Sequence, residues 1–286
     1  FQVHTAAVGI GTALDREPGA RAVYSQGSST TLRFINFSSM GDGVSFGSLA
    51  TSSYEGAALS SSTRGVWRCG YNGSSYTDTI NYITLASTGT ATAWGAAGTY
   101  SSNPTIGLSN QTRGIFAGKI QQPGTGYADN MEYITIASEG VAAQDYGDMT
   151  FSGSYAGGCA SPTRGIYTGN RGPGGTNPSV IDFCTIATLG TAQKFGDLGT
   201  AAQFPDVASN PIRGVIMGGE NPTRINRIEY VTIATTGNAV DFGSLTTARR
   251  RACGGAASST RAVCLGGVNS TSTEAIDCIE IQTSGN

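Results

Sequence analysis

An arginine flanked by small and β-branched residues returns six times along this chain, at Arg21, Arg64, Arg113, Arg164, Arg213 and Arg261. The intervals between successive copies are 43, 49, 51, 49 and 48 residues. The local wording is nearly constant: Thr63-Arg64-Gly65-Val66, Thr112-Arg113-Gly114-Ile115, Thr163-Arg164-Gly165-Ile166 and Thr260-Arg261-Ala262-Val263. A period of this length means one supersecondary unit repeated, with each copy burying its apolar face against the next.

Two further columns travel with the arginine. One alternates apolar and polar residues, as in Ile80-Asn81-Tyr82-Ile83, Met131-Glu132-Tyr133-Ile134, Ile181-Asp182-Phe183-Cys184 and Ile228-Glu229-Tyr230-Val231. Period-two alternation with β-branched and aromatic residues marks a strand. The other is an aromatic followed by glycine: Phe46-Gly47, Trp94-Gly95, Tyr146-Gly147, Phe195-Gly196 and Phe242-Gly243. It has five copies where the arginine has six. Each aromatic precedes the next repeat arginine by 18 or 19 residues, and the same count back from Arg21 reaches Gln2 or Val3. A small-residue strand precedes each arginine, so the unit reads as four strands. Radial repetition of such a unit leaves only short, protected edges. The expected fold is therefore all-β: a single six-bladed β-propeller over residues 1–286, its blades four-stranded and antiparallel. The N-terminal strand, Phe1 to His4, would complete the C-terminal blade formed by residues 251–286.

Composition narrows the function more than it defines it. Charged residues make up 13% of the chain and the formal net charge is −2. No basic stripe is present for a nucleic acid, and no run of 18 apolar residues could span a membrane as a helix. The six cysteines are irregularly spaced with no Cys-x-x-Cys pair. They read as thiols filling core gaps, with one or two disulfides as the alternative.

The glycine pair after the second strand, the tyrosine of the third, and Phe242-Gly243-Ser244-Leu245-Thr246 with Arg249 beyond resemble the kelch repeat, whose period is about 50 residues. The sequence is a divergent version, with Phe-Gly usually standing where kelch has Trp. The wording Tyr-Ile-Thr-Ile-Ala-x-x-Gly followed by Phe-Gly-Asp-Leu is similar to the kelch-like repeats of tailed-bacteriophage virion and tail-fibre proteins. That resemblance covers all six units and implies a virion or extracellular setting, with other structural proteins of the same particle or filament, and surface glycans, as partners.

No catalytic constellation is legible. His4 is the only histidine, so a Ser-His-Asp or Cys-His arrangement would have to use it, and no second histidine is available to a metal. The ligand set of kelch-like copper oxidases and the Ser-x-Asp-x-Gly-x-Thr-Trp box of sialidases are absent. Glu132, Asp182, Glu229 and Asp277 share one repeat position, which puts them on different blades. Glycosidase carboxylates need to lie within about 10 Å of each other. The acids are expected to bond a neighbouring strand or the repeat arginines. The repeat arginines in turn read as structural, in a turn or in a bidentate carboxylate pair between blades. The expectation is a protein without enzymatic activity and without a cofactor or metal.

Binding, if it occurs, belongs to the segments that vary between copies. These join the second and third strands, at residues 71–79, 119–130, 170–179 and 220–226. Tyr71, Tyr76, Tyr127, Arg171 and Arg224 are the side chains there best suited to recognition. The function that follows is a structural or adhesion module of a virion or extracellular fibre, interacting with protein or glycan. A glycan-binding lectin is the alternative, and a glycan-active enzyme a third reading.

Overall fold

A computed structural model describes residues 7–9, 21–25, 29–39, 41–51, 56–68, 70, 74, 77–96, 102–121, 126–250 and 255–283. Six antiparallel sheets follow one another along the chain. The innermost strands are Ala7–Gly9, Ala57–Ser60, Ser102–Ser109, Gly157–Ala160, Asp206–Ser209 and Gly255–Ala257. Each touches the innermost strand of the next blade, and Gly255–Ala257 returns to Ala7–Gly9, so the six form a closed ring. The chain is a six-bladed β-propeller.

Each second strand begins at the repeat arginine: Arg21–Ser25, Arg64–Arg68, Arg113–Gln121, Arg164–Thr168, Arg213–Met217 and Arg261–Val268. The third strands are Thr31–Asn36, Thr79–Thr84, Asn130–Thr135, Val180–Thr185, Arg227–Thr232 and Ser272–Glu280. The outer strands are Val44–Ser48, Thr92–Ala96, Gln144–Asp148, Gln193–Asp197 and Val240–Ser244, each carrying an aromatic-glycine pair. Five blades thus have their outer strand, and the last sheet has three strands among the described residues. The third blade gains an extra strand, Gly126–Ala128, paired to the extended second strand.

Why small residues precede each arginine is now plain. Around the axis the backbones crowd: a Cβ on Gly107 would lie 2.0 Å from the Ala58 carbonyl oxygen. Serine hydroxyls stitch these strands together. Ser109 donates to the Ser60 carbonyl at 2.7 Å and Ser209 to that of Ala160 at 2.8 Å. Between neighbouring blades lie six separate apolar cores rather than one central core. In five blades the third-strand aromatic meets the outer-strand aromatic edge to face, for instance Tyr82 on Trp94 at 5.7 Å and Phe183 on Phe195 at 6.1 Å. Such pairs add about 1 kcal/mol beyond the area they bury.

The glycine after each outer-strand aromatic has its own cause. A β-bulge falls at this point in all five complete blades, for example between Ile181 and Asp182. The aromatic's carbonyl then accepts a hydrogen bond from the turn glycine of the next blade. The donors are Gly89 to Phe46, Gly140 to Trp94, Gly190 to Tyr146 and Gly237 to Phe195, each at 2.9 Å. At Gly47, Gly147 and Gly196 a Cβ would sit only 1.9, 2.5 and 2.1 Å from the facing turn carbonyl. The aromatic-glycine column is therefore an inter-blade joint.

The proposed closing strand, Phe1 to His4, lies outside the described residues. Closure among the described residues runs through side chains. Ala22, Tyr24, Ile35 and Phe37 of the first blade share a core with Ala256, Val263 and Leu265 of the last. Arg261 also donates to the Phe37 carbonyl at 2.9 Å.

Candidate functional site

The two faces of the ring are built differently. One carries the short turns between first and second strands and between third and fourth strands. The other carries the connections between second and third strands and between blades.

The turn face is occupied by repeated latches. A serine or asparagine three residues before the arginine accepts from its backbone N–H: Ser61, Asn110, Ser161, Asn210 and Ser258 do so at 3.1, 2.8, 3.0, 2.7 and 3.0 Å. That local bond sets the turn and aims the guanidinium at the next blade. Arg64 donates to the Ile136 carbonyl at 3.0 Å, Arg113 to Ile186 at 2.7 Å, Arg164 to Ala234 at 2.8 Å and Arg213 to Ile281 at 3.0 Å. The same guanidinium lies over the third-strand aromatic of its own blade, 4.5–4.8 Å from the ring centre at Arg21, Arg64, Arg113, Arg164 and Arg213. The expected Arg–carboxylate pairing of the repeat arginines is thus corrected. The shared partners are backbone carbonyls, left open where each third strand ends. Among the described residues carboxylates join only locally, Glu139 at Arg64 and Glu280 at Arg261. The last blade has Cys278 in place of the aromatic, and there Glu280 takes part of the arginine's bonding.

The acidic column faces the other way, into the seams near the loop face. Its members lie on four different blades, and each meets a different partner. Glu132 pairs with Arg68 of the preceding blade, both side chains almost fully buried. Asp277 pairs with buried Arg249. Glu229 accepts from the Gly199 N–H at 3.0 Å and lies 3.2 Å from Arg227; burial raises its pKa against these donors. Asp182 has no guanidinium. Its Oδ2 accepts from the Thr150 hydroxyl at 2.5 Å, and its Oδ1 is buried without a partner. Burial pushes its pKa up to about 6, opposed by Thr150 and by the charge of Lys194. Asp182, Glu229 and Asp277 tie the exit of one outer strand to the next blade, and Glu132 ties its blade to the end of the preceding blade's second strand. They do not converge on a shared substrate position.

Asp182 gives a signed pH prediction. The unfolded chain loses this proton near 3.8 and the folded chain near 6, so the fold binds more protons in between. Stability from this group is greatest below about pH 4, falls as pH rises to about 6, and stays level above that. Asp182→Asn is expected to match wild type at pH 4 and to be more stable by about 2 kcal/mol at pH 7.5. Urea denaturation at the two pH values reads the difference. A wild type that gains on the variant with rising pH would show instead that ionised Asp182 has a cationic partner.

The loop face carries the residues expected to bind. Tyr127 sits on the added strand Gly126–Ala128, opposite Ile120, and is partly exposed. Arg171 bridges to Ser154 and Arg224 to Glu220. Both side chains are partly exposed, and the Arg224 Nε has no hydrogen-bond partner. The loops holding the two arginines touch through Asn177 and Asn221 at 3.5 Å. Among the described residues no hydrogen bond or ion pair joins Tyr127, Arg171 and Arg224. Tyr71 and Tyr76 lie outside them.

Sequence reasoning missed a stack beside these loops. Tyr155 and Phe204 occupy matching positions just before the innermost strands of the fourth and fifth blades, both left-handed, with φ of 63° and 57°. Their rings lie 4.6 Å apart, and Arg250 covers Phe204 at 5.5 Å while pairing with Glu220 at 2.5 Å. Bulky residues seldom adopt this backbone. The Phe204 N–H donates to the Tyr155 carbonyl at 3.0 Å, which joins consecutive connections. Arg68 and Arg249 were also missed. Their signal was a charge in a repeat that places apolar or small residues around it.

A cavity of water size lies between the fourth and fifth blades, about 10 Å³, bounded by Leu198, Ala202, Ile216, Ile225, Arg227 and Glu229. That volume is about one water molecule's and is too small for a substrate. Among the described residues no three His, Cys, Asp or Glu side chains group as metal ligands, and no helix is long and apolar enough to cross a membrane. Cys159, Cys184, Cys264 and Cys278 are free thiols; Cys69 and Cys253 lie outside the described residues. The sequence matches no protein-family model and no curated protein.

Proposed function

We propose that this propeller is a binding module without enzymatic activity, using its loop face to engage protein or glycan within a virion or extracellular fibre. The observation that carries the reading is the contrast between the faces. Turns on one face repeat the same serine or asparagine, arginine and glycine bonds. Loops on the other face differ in length and content from blade to blade and leave Tyr127, Arg171 and Arg224 partly exposed. Variable segments on a rigid repeat are where recognition is usually carried, and tyrosine and arginine are the side chains that dominate such surfaces. The divergent kelch-like wording supports the virion or fibre setting.

A glycan array read with the purified chain tests it, followed by Tyr127→Ala, Arg171→Ala and Arg224→Ala. Each is expected to weaken a detected ligand at least tenfold while leaving the melting temperature within about 2 °C, because none supports an inter-blade core. Binding that survives all three substitutions would move the site off these loops. Turnover of a detected glycan would replace this reading with the enzymatic one.

A further inference from the structure

Independently of the loop-face reading, we propose that the seam between the third and fourth blades binds an alkali cation, sodium or potassium, at the Asp182 carboxylate with the Tyr167 and Thr150 hydroxyls beside it. The three other acids of the same repeat column each hold one positive charge. Glu132 has Arg68, from the end of the preceding blade's second strand. Glu229 has Arg227, two residues earlier on its own strand, at 3.2 Å. Asp277 has Arg249, from the connection between the fifth and sixth blades. The three guanidiniums come from three different places in the repeat. What recurs at this level of the seam is the charge, not the residue that brings it.

For Asp182 all three of those places carry a neutral residue. The position of Arg68, four residues after the repeat arginine, is Ala117 in the third blade. The position of Arg227 is Val180, and that of Arg249, twelve residues before the repeat arginine, is Ser152. Asp182 is nonetheless as buried as Glu132 and Glu229, at 1% exposed. Its Oδ2 accepts from the Thr150 hydroxyl at 2.5 Å, and its Oδ1 is buried with no hydrogen-bond partner. Tyr167 lies opposite it in the strand ladder, fully buried, with a hydroxyl that likewise has no partner. Burial raises the pKa of that phenol, the Asp182 charge adds to the rise and the Thr150 N–H opposes it, so the three residues lie together. Lys194, across the ladder on the outer strand, is exposed and gives its ammonium to Asp197 at 2.8 Å.

The donor set selects the ion. A buried carboxylate is paired, bound to a metal ion or protonated. Carboxylate and hydroxyl oxygens without nitrogen or sulfur suit a hard cation. One carboxylate among neutral hydroxyls balances one positive charge, as one guanidinium does for each of the other three acids. A monovalent ion therefore fits better than calcium, which takes more oxygens and more carboxylate charge.

Thermal melting of the 286-residue protein at about pH 7.5 tests the site, in about 150 mM sodium, potassium or tetramethylammonium chloride, which share one ionic strength. Sodium or potassium is expected to raise the midpoint saturably, by about 3 °C over tetramethylammonium. Asp182→Asn is expected to remove the difference. Tyr167→Phe keeps the ring and is expected to raise the half-saturating ion concentration several-fold. Val180→Arg copies Arg227 at a partly exposed position; it is expected to melt higher in tetramethylammonium and to lose the ion response. In tetramethylammonium the advantage of Asp182→Asn at pH 7.5 stands as given above, and in the favoured ion it disappears. Equal melting of wild type in the three salts overturns the proposal. A loss on Lys119→Met or Lys194→Met that vanishes in the Asp182→Asn background then names the lysine that holds the seat. An ion response that Asp182→Asn retains puts the ion elsewhere and overturns the proposal too.

Discussion

Gly196→Ala is expected to destabilise the protein by about 3 kcal/mol, while Gly237→Ala, directly across the same joint, changes stability by less than about 0.5 kcal/mol. The two glycines differ in what a methyl would meet. At Gly196 the Cβ falls 2.1 Å from the Gly237 carbonyl oxygen; at Gly237 it meets nothing within 4 Å. Neither has the left-handed backbone that would strain any side chain, so the contrast is steric. The obstructing atom is backbone, which cannot rotate away. Relief requires moving the fifth blade's turn off the fourth blade's outer strand, and that breaks the bond from the Gly237 N–H to the Phe195 carbonyl. Overpacking of this kind costs 1–3 kcal/mol even where side chains can adjust. Urea unfolding of the two variants measures it. Equal losses at both positions would mean that the strand-to-turn joint is looser than the structure has it.

Arg164→Ala is expected to cost about 3 kcal/mol, lowering the melting temperature by roughly 6–10 °C at this chain length. The guanidinium donates to the Ile233 and Ala234 carbonyls at 3.2 and 2.8 Å and covers the Phe183 ring at 4.8 Å. Hydrogen bonds from a charged donor contribute about 1.5–3 kcal/mol, and the ring contact about 0.5–1. Arg164→Lys keeps the charge and loses the planar fork, so about half the loss should return. The same change at Arg261 is a useful contrast. That arginine has Cys278 beside it instead of an aromatic and Glu280 as a partner at 2.7 Å, so its loss should depend on salt where that of Arg164 does not. Calorimetric melting of the variants at low and high salt separates the two.

The ring was legible because its three columns are set by packing, and packing leaves side-chain signatures. An edge-to-face aromatic pair needs two aromatics at fixed register. A crowded axis needs small residues, and a turn carbonyl at van der Waals range needs glycine. What the arginines hold was not legible, because a backbone carbonyl has no letter in the sequence. The acids nearby, Glu132, Asp182, Glu229 and Asp277, invited an ion-pair reading that only a view of both faces removes. The serine or asparagine three residues ahead of five of the six arginines was visible and carries the turn, yet it is easily lost in a chain rich in both residue types. Asp182 shows the opposite limit. It shares its column with Glu132 and Asp277, and only the three-dimensional seam shows that they have a buried guanidinium and it has none. The binding loops were recognised by their irregularity, and irregularity names no ligand.

Residue-resolved hydrogen exchange tests the central claim, a closed ring of blades joined through repeated turn-to-strand bonds. The decisive amides are those of Gly89, Gly140, Gly190 and Gly237, each bonded to the preceding blade at 2.9 Å. The reference is the exchange rate of the same amides in the unfolded chain. The expected result is that the four exchange slowly, together, and near the free energy of global unfolding. Four amides that exchange close to the unfolded-chain rate would contradict the inter-blade joint and, with it, the ring.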